Sequence, residues 1–162
     1  MRWFLIDQLL ECEPGKRAVA VKTFPLSDLV FLTHFDRDPV VPGVLQIEMV
    51  AQAAAKSLKI FRPDMVTMLV SVKSAKFLRQ VTAGDRCHIV VDITTRDHYA
   101  HERGVVDVDG VRVSEMELLV AFKPRVAAER PEDDVVIAAW QRRTGGHREP
   151  PAMGARVDAV VA

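Results

Sequence analysis

Residues 44–59 read VLQIEMVAQAAAKSLK, a run with no glycine or proline and rich in leucine, methionine and alanine. Such side chains lose little freedom in a helix, and Pro42 stands just ahead, where a first helical turn tolerates an imide. The run predicts one long helix. Its apolar residues, Val44, Leu45, Ile47, Met49, Val50, Ala51, Ala53, Ala54, Ala55 and Leu58, cover nearly the whole circumference instead of one stripe. A helix of that kind is expected to be buried on all sides, so the rest of the chain has to wrap it.

Working outward, nearly everything from there to Phe122 reads as strand. Residues 65–73 (MVTMLVSVK) and 75–81 are two short runs bearing valine and leucine. Cys87, Ile89, Val91 and Ile93 alternate with Arg86, His88, Asp92 and Thr94, the period of a half-buried strand. Residues 105–108 and 111–122 flank Asp109-Gly110, a pair that tolerates the positive φ of a two-residue hairpin turn, and Met116, Leu118, Val120 and Phe122 share one face. On the other side of the helix, residues 17–24 (RAVAVKTF) follow a Pro14-Gly15 turn signal and read as the first strand. A curved, mostly antiparallel sheet wrapped around one helix, an α+β architecture, satisfies the pattern.

The chain has 162 residues, enough for one core, and 49% apolar against 27% charged residues excludes a disordered polymer. Lysine plus arginine (22) balances aspartate plus glutamate (22), leaving no positive field to draw the protein onto phosphate backbones or anionic lipid. The longest apolar run near the start, residues 3–6, stops at Asp7, short of a signal peptide's ~7–15 residues or a membrane span's ~20. A soluble, cytoplasmic protein is expected. Cys12 and Cys87 stand far apart with no CxxC or Cys/His cluster, which argues against a disulfide framework or a zinc site. After Lys123-Pro124 the composition changes, with Pro131, Pro150, Pro151 and a Gly145-Gly146 pair. Residues 1–124 therefore read as one domain. Residues 125–162 read as an extension in which 132–143, acidic at its start and basic at its end, forms a short helix ahead of a flexible tail.

Glu48 and Gln52 stand i, i+4 inside the apolar helix, on one face and one turn apart. A carboxylate there is costly unless it is paired, protonated or employed, and a plain ion pair with Arg37 or Lys76 would also account for it. His34 precedes Glu48 in a proline-bounded loop, and between them Pro42-Gly43-Val44 opens the helix. The first N–H groups of a helix have no internal partner, so this N-terminus suits a developing negative charge. A base, an acid and an oxyanion site lie close together in the chain.

The run His34-Phe35-x-x-x-Pro39-Val40-Val41-Pro42-Gly43-Val44-Leu45-x-x-Glu48-x-x-Ala51-Gln52 resembles the signature of the 3-hydroxyacyl-[acyl-carrier-protein] dehydratases of type II fatty acid synthesis, GHFPGxPxMPGVLxxExxAQ. Residues 75–85 (AKFLRQVTAGD) resemble that family's ARFRRPVxPGD, and the likeness spans residues 1–123. It implies the hotdog fold, a long central helix wrapped by an antiparallel sheet, with two copies joining their sheets into a homodimer. It further implies that His34 of one subunit acts as base opposite Glu48 of the other as acid, kept protonated by apolar surroundings. Gly43, with Val44 beside it, would offer backbone N–H to the thioester oxygen, and Gln52, Phe35 and Pro42 would support the site. The implied reaction removes water from a (3R)-hydroxyacyl thioester on acyl carrier protein or coenzyme A, in fatty acid or polyketide-type biosynthesis, with no metal or other cofactor. Glu at position 48, where an isomerising branch carries Asp, places the chain nearer the general elongation dehydratases.

Departures from the signature fall in the loop: Thr33 replaces a glycine, and Asp36-Arg37, followed by Asp38, replaces Pro-Gly. Lost access to positive φ and added charge there are expected to alter acyl-chain selectivity. The extension suits a specialised lipid or polyketide assembly line. A hotdog thioesterase and a non-catalytic hotdog partner subunit are the competing readings. An acidic carrier would meet Lys56, Lys59 and Arg62, or Lys73, Lys76 and Arg79.

Overall fold

Residues 44–59 lie inside a single helix, α1 (Gly43–Phe61), in the computed structural model, which describes residues 4–35, 37–125 and 131–145. Six strands accompany it: β1 (Gln8–Glu13), β2 (Arg17–Thr23), β3 (Met65–Phe77), β4 (Arg86–Thr95), β5 (Tyr99–Val108) and β6 (Val111–Pro124). They form one antiparallel sheet in the order β1-β2-β4-β5-β6-β3, curved around α1 in the hotdog arrangement. Its inner face meets α1 through Ala18 and Ala20, Ile89 and Val91, Val106, and Met116 and Leu118, all buried in one apolar core with Met49, Val50, Ala53 and Leu58 of the helix.

The helix is not buried on all sides. Met49, Val50, Ala53, Ala54 and Leu58 are covered, but Val44 is 68% exposed and Leu45, Ile47, Ala51 and Ala55 are only half-buried. A single sheet layer covers one face of a cylinder, so the second apolar face is only partly covered by the described residues. Sheet and helix approach closely at Gly104 of β5. A Cβ built there would lie 2.1 Å from Val50 Cγ1, so only a hydrogen fits.

Asp109 and Gly110 take φ of 51° and 77° and close the β5–β6 hairpin as their sequence predicts. Three strands differ from the sequence expectation. Residues 17–24 contain the second strand, not the first; β1 precedes it, and a register shift between Leu9 and Glu11 breaks the alternation that would announce it. The two runs at 65–73 and 75–81 merge into one long β3, whose pairing with β6 shifts between Leu69 and Ser71 and again between Val72 and Ser74. Those bulges split the pattern without splitting the strand, and 78–81 leave it. β5 begins at Tyr99, six residues before the expected start.

A second helix, α2 (Val135–Thr144), follows a 3-10 turn at Pro131–Asp133, so the helix expected over 132–143 starts only after its third acidic residue. Asp134 caps it, accepting from Val136 N and Ile137 N, and Gly145 ends it in the left-handed conformation at φ 69°. Val136, Ile137 and Trp140 are buried, and Arg143 donates to Leu9 O at 2.8 Å, which ties α2 to β1. Residues 146–162, where the tail is expected, and Asp36 lie outside the described residues. Among the described residues no helix is long and apolar enough to cross a membrane.

Candidate active site

The loop between β2 and α1 carries His34. Asp28 caps a 3-10 turn at Leu29–Leu32, accepting from Val30 N, and Phe31 is buried beneath it as an anchor. Beyond the turn, Val40 N donates to His34 O at 2.9 Å and Val41 N to Val81 O at 2.8 Å, while Phe35 and Asp38 exchange backbone bonds at 3.2 Å. Backbone bonds thus hold the loop despite the exposed Arg37 and Asp38. The His34 ring stacks on Phe35 with centroids 4.2 Å apart. Thr33 sits at φ −130°, which any residue adopts, so its replacement of a glycine carries no backbone penalty.

His34 and Gly43 line one cleft of about 360 Å³, together with Val41, Gln46, Phe77 and Arg79. Pro42 is the N-cap of α1, one position earlier than the first-turn place its sequence suggests, and gives no side-chain cap. The α1 N-terminus therefore opens toward this cleft with its positive dipole end uncapped by Pro42. Gly43 is needed for close approach: a Cβ there would stand 2.8 Å from Phe77 Cζ, so the Phe77 ring rests on the first helical residue. Val44 faces outward. Gln46 is 2% exposed and its Oε1 has no partner. Sequence reasoning passed over this amide, although a further polar residue two places before Glu48 was its signal.

Glu48 does not line the His34 cleft among its described walls. It is half-buried, and Gln52 Nε2 donates to its Oε1 at 3.0 Å. Gln52 Oε1 in turn accepts from Leu5 N at 3.0 Å, which fixes the amide's orientation because a backbone N–H can only donate. Lys76, one of the bases considered for Glu48, donates to Glu115 at 2.8 Å instead. His34 and Gly43 thus share one cleft, Glu48 is bonded to Gln52, and Glu48 is not among the residues that line the cleft.

A second carboxyl, absent from the sequence candidates, lies near Glu48. Glu102 on β5 is 2% exposed and neither of its oxygens has a hydrogen-bond partner. Burial, and after it the charge of Glu48, push it up to about 8. Its signal was the inward alternation Ala100, Glu102, Gly104, Val106, which a strand beginning at residue 105 conceals.

Of the cations considered for a carrier protein, Lys56, Lys59 and Arg62 line a smaller cleft of about 160 Å³ at the far end of α1. They have structural partners there: Lys56 and Lys59 reach Asp134 at 2.7 and 3.8 Å, and Arg62 donates to Asp97 O at 2.8 Å. Arg79 borders the His34 cleft. Both thiols are buried, and burial pushes Cys12 up to about 11 and Cys87 to about 12.

A sheet of this order curved around one long helix defines a hotdog-fold protein. The sequence profile of the ApeI-like family, described as ApeI dehydratase, matches residues 11–110. A 3-hydroxyacyl-[acyl-carrier-protein] dehydratase FabZ from Anaeromyxobacter sp. (strain K) is 36% identical over 129 residues, 76% of this chain and 83% of the relative. The FabZ of Aromatoleum aromaticum is 37% identical, covering 75% and 88%, and that of Bacillus subtilis 34%, covering 74% and 87%. The chain belongs to this dehydratase family. Solved structures share the fold: the dehydratase heterocomplex ApeI:P of Xenorhabdus doucetiae superposes with a TM-score of 0.54 at 21% identity, covering 66% of this chain and 88% of that one. A hypothetical thioesterase of Streptococcus pneumoniae with coenzyme A gives 0.57 at 10% identity, covering 74% and 88%.

Proposed function

We propose that this chain removes water from a (3R)-hydroxyacyl thioester carried on acyl carrier protein, giving the trans-2-enoyl thioester, as a cytoplasmic homodimer whose site pairs His34 of one copy with Glu48 of the other. The observation that carries this reading is the lining of the cleft: His34 shares it with Gly43 at the α1 N-terminus, and Glu48 is not among its lining residues. The edge strand β3 supports the pairing of copies. Met68, Leu69, Val70 and Val72 are exposed along it, a run of apolar side chains on an open sheet edge that a second copy would cover. The half-buried second face of α1 is the other surface such a copy would bury.

In this arrangement His34 takes the C2 proton of the substrate. The charge that moves onto the thioester oxygen faces the Gly43 N–H and the helix N-terminus, donors already in place before reaction. Glu48 gives a proton to the C3 hydroxyl, the C3–O bond breaks, and water leaves as the C2–C3 double bond forms. Gln52 holds Oε1 of Glu48, leaving Oε2 to carry the proton. The proton on His34 returns to solvent and Glu48 regains one, so turnover changes no charge on the protein. Arg79, which lines the cleft, and Lys73, earlier in the chain on β3, are the cations to meet an acidic carrier. Residues 1–124 form the catalytic domain and 125–162 an extension whose described part is clasped to it by Asp134 and Arg143.

The test is enoyl-thioester absorbance on a (3R)-hydroxyacyl thioester, with a thiol reagent watching for hydrolysis. Enoyl product without thiol release, lost in His34→Ala and Glu48→Gln, is the expected result. Thiol release would move the assignment to a thioesterase, and silence in both channels to a binding subunit.

A further inference from the structure

The cleft that holds His34 also holds an unanswered acceptor. Gln46 lines it one turn along α1 from Gly43, is 2% exposed, and its Oε1 has no hydrogen-bond partner among the described residues. A buried amide oxygen left in that state costs stability that an apolar residue of the same size would not, so its presence calls for a donor arriving from outside. Ser114, opposite Phe77 in the β3–β6 register, is another buried polar side chain at this end of the sheet, and its Oγ is likewise unpartnered, so it does not serve Gln46. Val44, 68% exposed, stands two residues away on the opposite side of α1, so a second copy covering that face meets Val44 and not Gln46. Beside Gln46 in the cleft are His34, Gly43 and Phe77, whose ring rests on Gly43.

We propose that Gln46 binds the C3 hydroxyl of the substrate, its Oε1 accepting the hydroxyl hydrogen, and so selects 3-hydroxyacyl thioesters over those that lack the hydroxyl. This rests on the reading of the chain as a dehydratase and adds one residue to the same site. The assignment follows from matching donors to acceptors. In that reading the thioester oxygen accepts from the Gly43 N–H, His34 takes the C2 proton, and Glu48 donates to the C3 oxygen. The hydroxyl hydrogen is then a donor beside the reacting carbons with no acceptor, and Gln46 Oε1 is an acceptor in the cleft with no donor. The spacing agrees. From Gly43 to Gln46 the helix advances about 4.5 Å, and the thioester oxygen and the C3 hydroxyl are separated only by C1, C2 and C3. A thioester that meets the Gly43 N–H presses on the Phe77 ring and, in moving it, opens the wall at Gln46. When Glu48 protonates the C3 oxygen and the C3–O bond breaks, the leaving water keeps the O–H already donated to Gln46. The amide gains and loses no proton and stays bonded until water departs. A contact equally strong in ground and transition states lowers KM and leaves kcat to His34 and Glu48.

The test uses two pantetheine ligands in which nitrogen replaces the thioester sulfur, so that neither reacts; one carries a (3R)-hydroxyl and the other hydrogen in its place. Wild type is expected to bind the hydroxy ligand roughly tenfold more tightly, and Gln46→Met, of similar volume and without the amide, to bind the two alike. In turnover the same variant should raise KM roughly tenfold while kcat moves far less. Its urea midpoint should be no lower than that of the wild type, since an orphaned amide is removed. A wild type indifferent to the hydroxyl overturns the proposal without any variant. Equal weakening of both ligands in Gln46→Met, as for an amide serving the pantetheine arm, overturns it too, as does a fall in kcat at unchanged KM. A lowered midpoint would show the amide already bonded in the folded protein and has the same force. The dehydratase reading fails separately, if wild type forms no enoyl thioester, and the paired ligands still decide Gln46.

Discussion

Gly104→Ala probes how sheet and helix are registered at the site. The added Cβ would stand 2.1, 2.9 and 3.1 Å from Val50 Cγ1, Cγ2 and Cβ. Ordinary carbon contacts lie at about 3.5–4.0 Å, so strand and helix must part by on the order of 1.5 Å. Val50 cannot swing clear, because a β-branched side chain in a helix is confined to essentially one rotamer and both methyls are involved. Overpacking of this kind costs ~1–3 kcal/mol. The same displacement carries Glu48, two residues away on α1, and a shift of about 1 Å at a reacting group costs up to ~100-fold in rate. The assay is urea unfolding at fixed protein concentration together with turnover. Val50→Ala supplies the control: alone it costs ~2 kcal/mol through the space it leaves. Combined with Gly104→Ala it removes the clash, so the double variant should be more stable than the sum of the singles by about 1 kcal/mol or more. An unchanged midpoint and rate in Gly104→Ala, or strict additivity, would refute the reasoning.

Asp134→Ala removes the α2 cap, worth ~0.5–2 kcal/mol, and strands Lys56, so α2 should become the first protease-sensitive segment. Burial alone would raise the Asp134 carboxyl, but Lys56, the Ile137 N–H and Lys59 hold it below the usual range. Its contribution is therefore full above the ordinary carboxylate value and is lost as pH falls through the lower folded one; Asp134→Asn should flatten that acid limb of stability, and an unaltered limb would contradict it. Charge reversal at Lys73 and Arg79 should raise KM several-fold for a carrier-bound substrate and leave a small thioester analogue unaffected, and equal effects on both substrates would remove the carrier-docking role.

What the sequence disclosed was what local pattern carries. α1 is legible because its residues favour a helix by themselves, and the Asp109-Gly110 hairpin because only certain residues accept its backbone. The His34 to Gln52 signature is likewise contiguous, so its members could be named before their positions were known. β1 and the continuity of β3 were hidden by register shifts, which break alternation without ending a strand. Glu102 was hidden because Tyr99, His101 and Arg103 make the start of β5 look polar, although those side chains face outward and only Glu102 among the charged residues faces in. The half-covered α1 shows the limit of a periodicity argument: an all-round apolar helix signals burial, and the covering partner can be another molecule.

The account stands on His34 and Glu48 meeting across two copies. His34→Ala and Glu48→Gln are each expected to be inactive; unfolded, mixed in equal amounts and refolded together, they should recover about a quarter of wild-type activity, since half of the dimers are mixed and each mixed dimer has one intact site. No recovery from the mixture, with both variants folded and dimeric, would show that His34 and Glu48 act within one chain and would contradict the account.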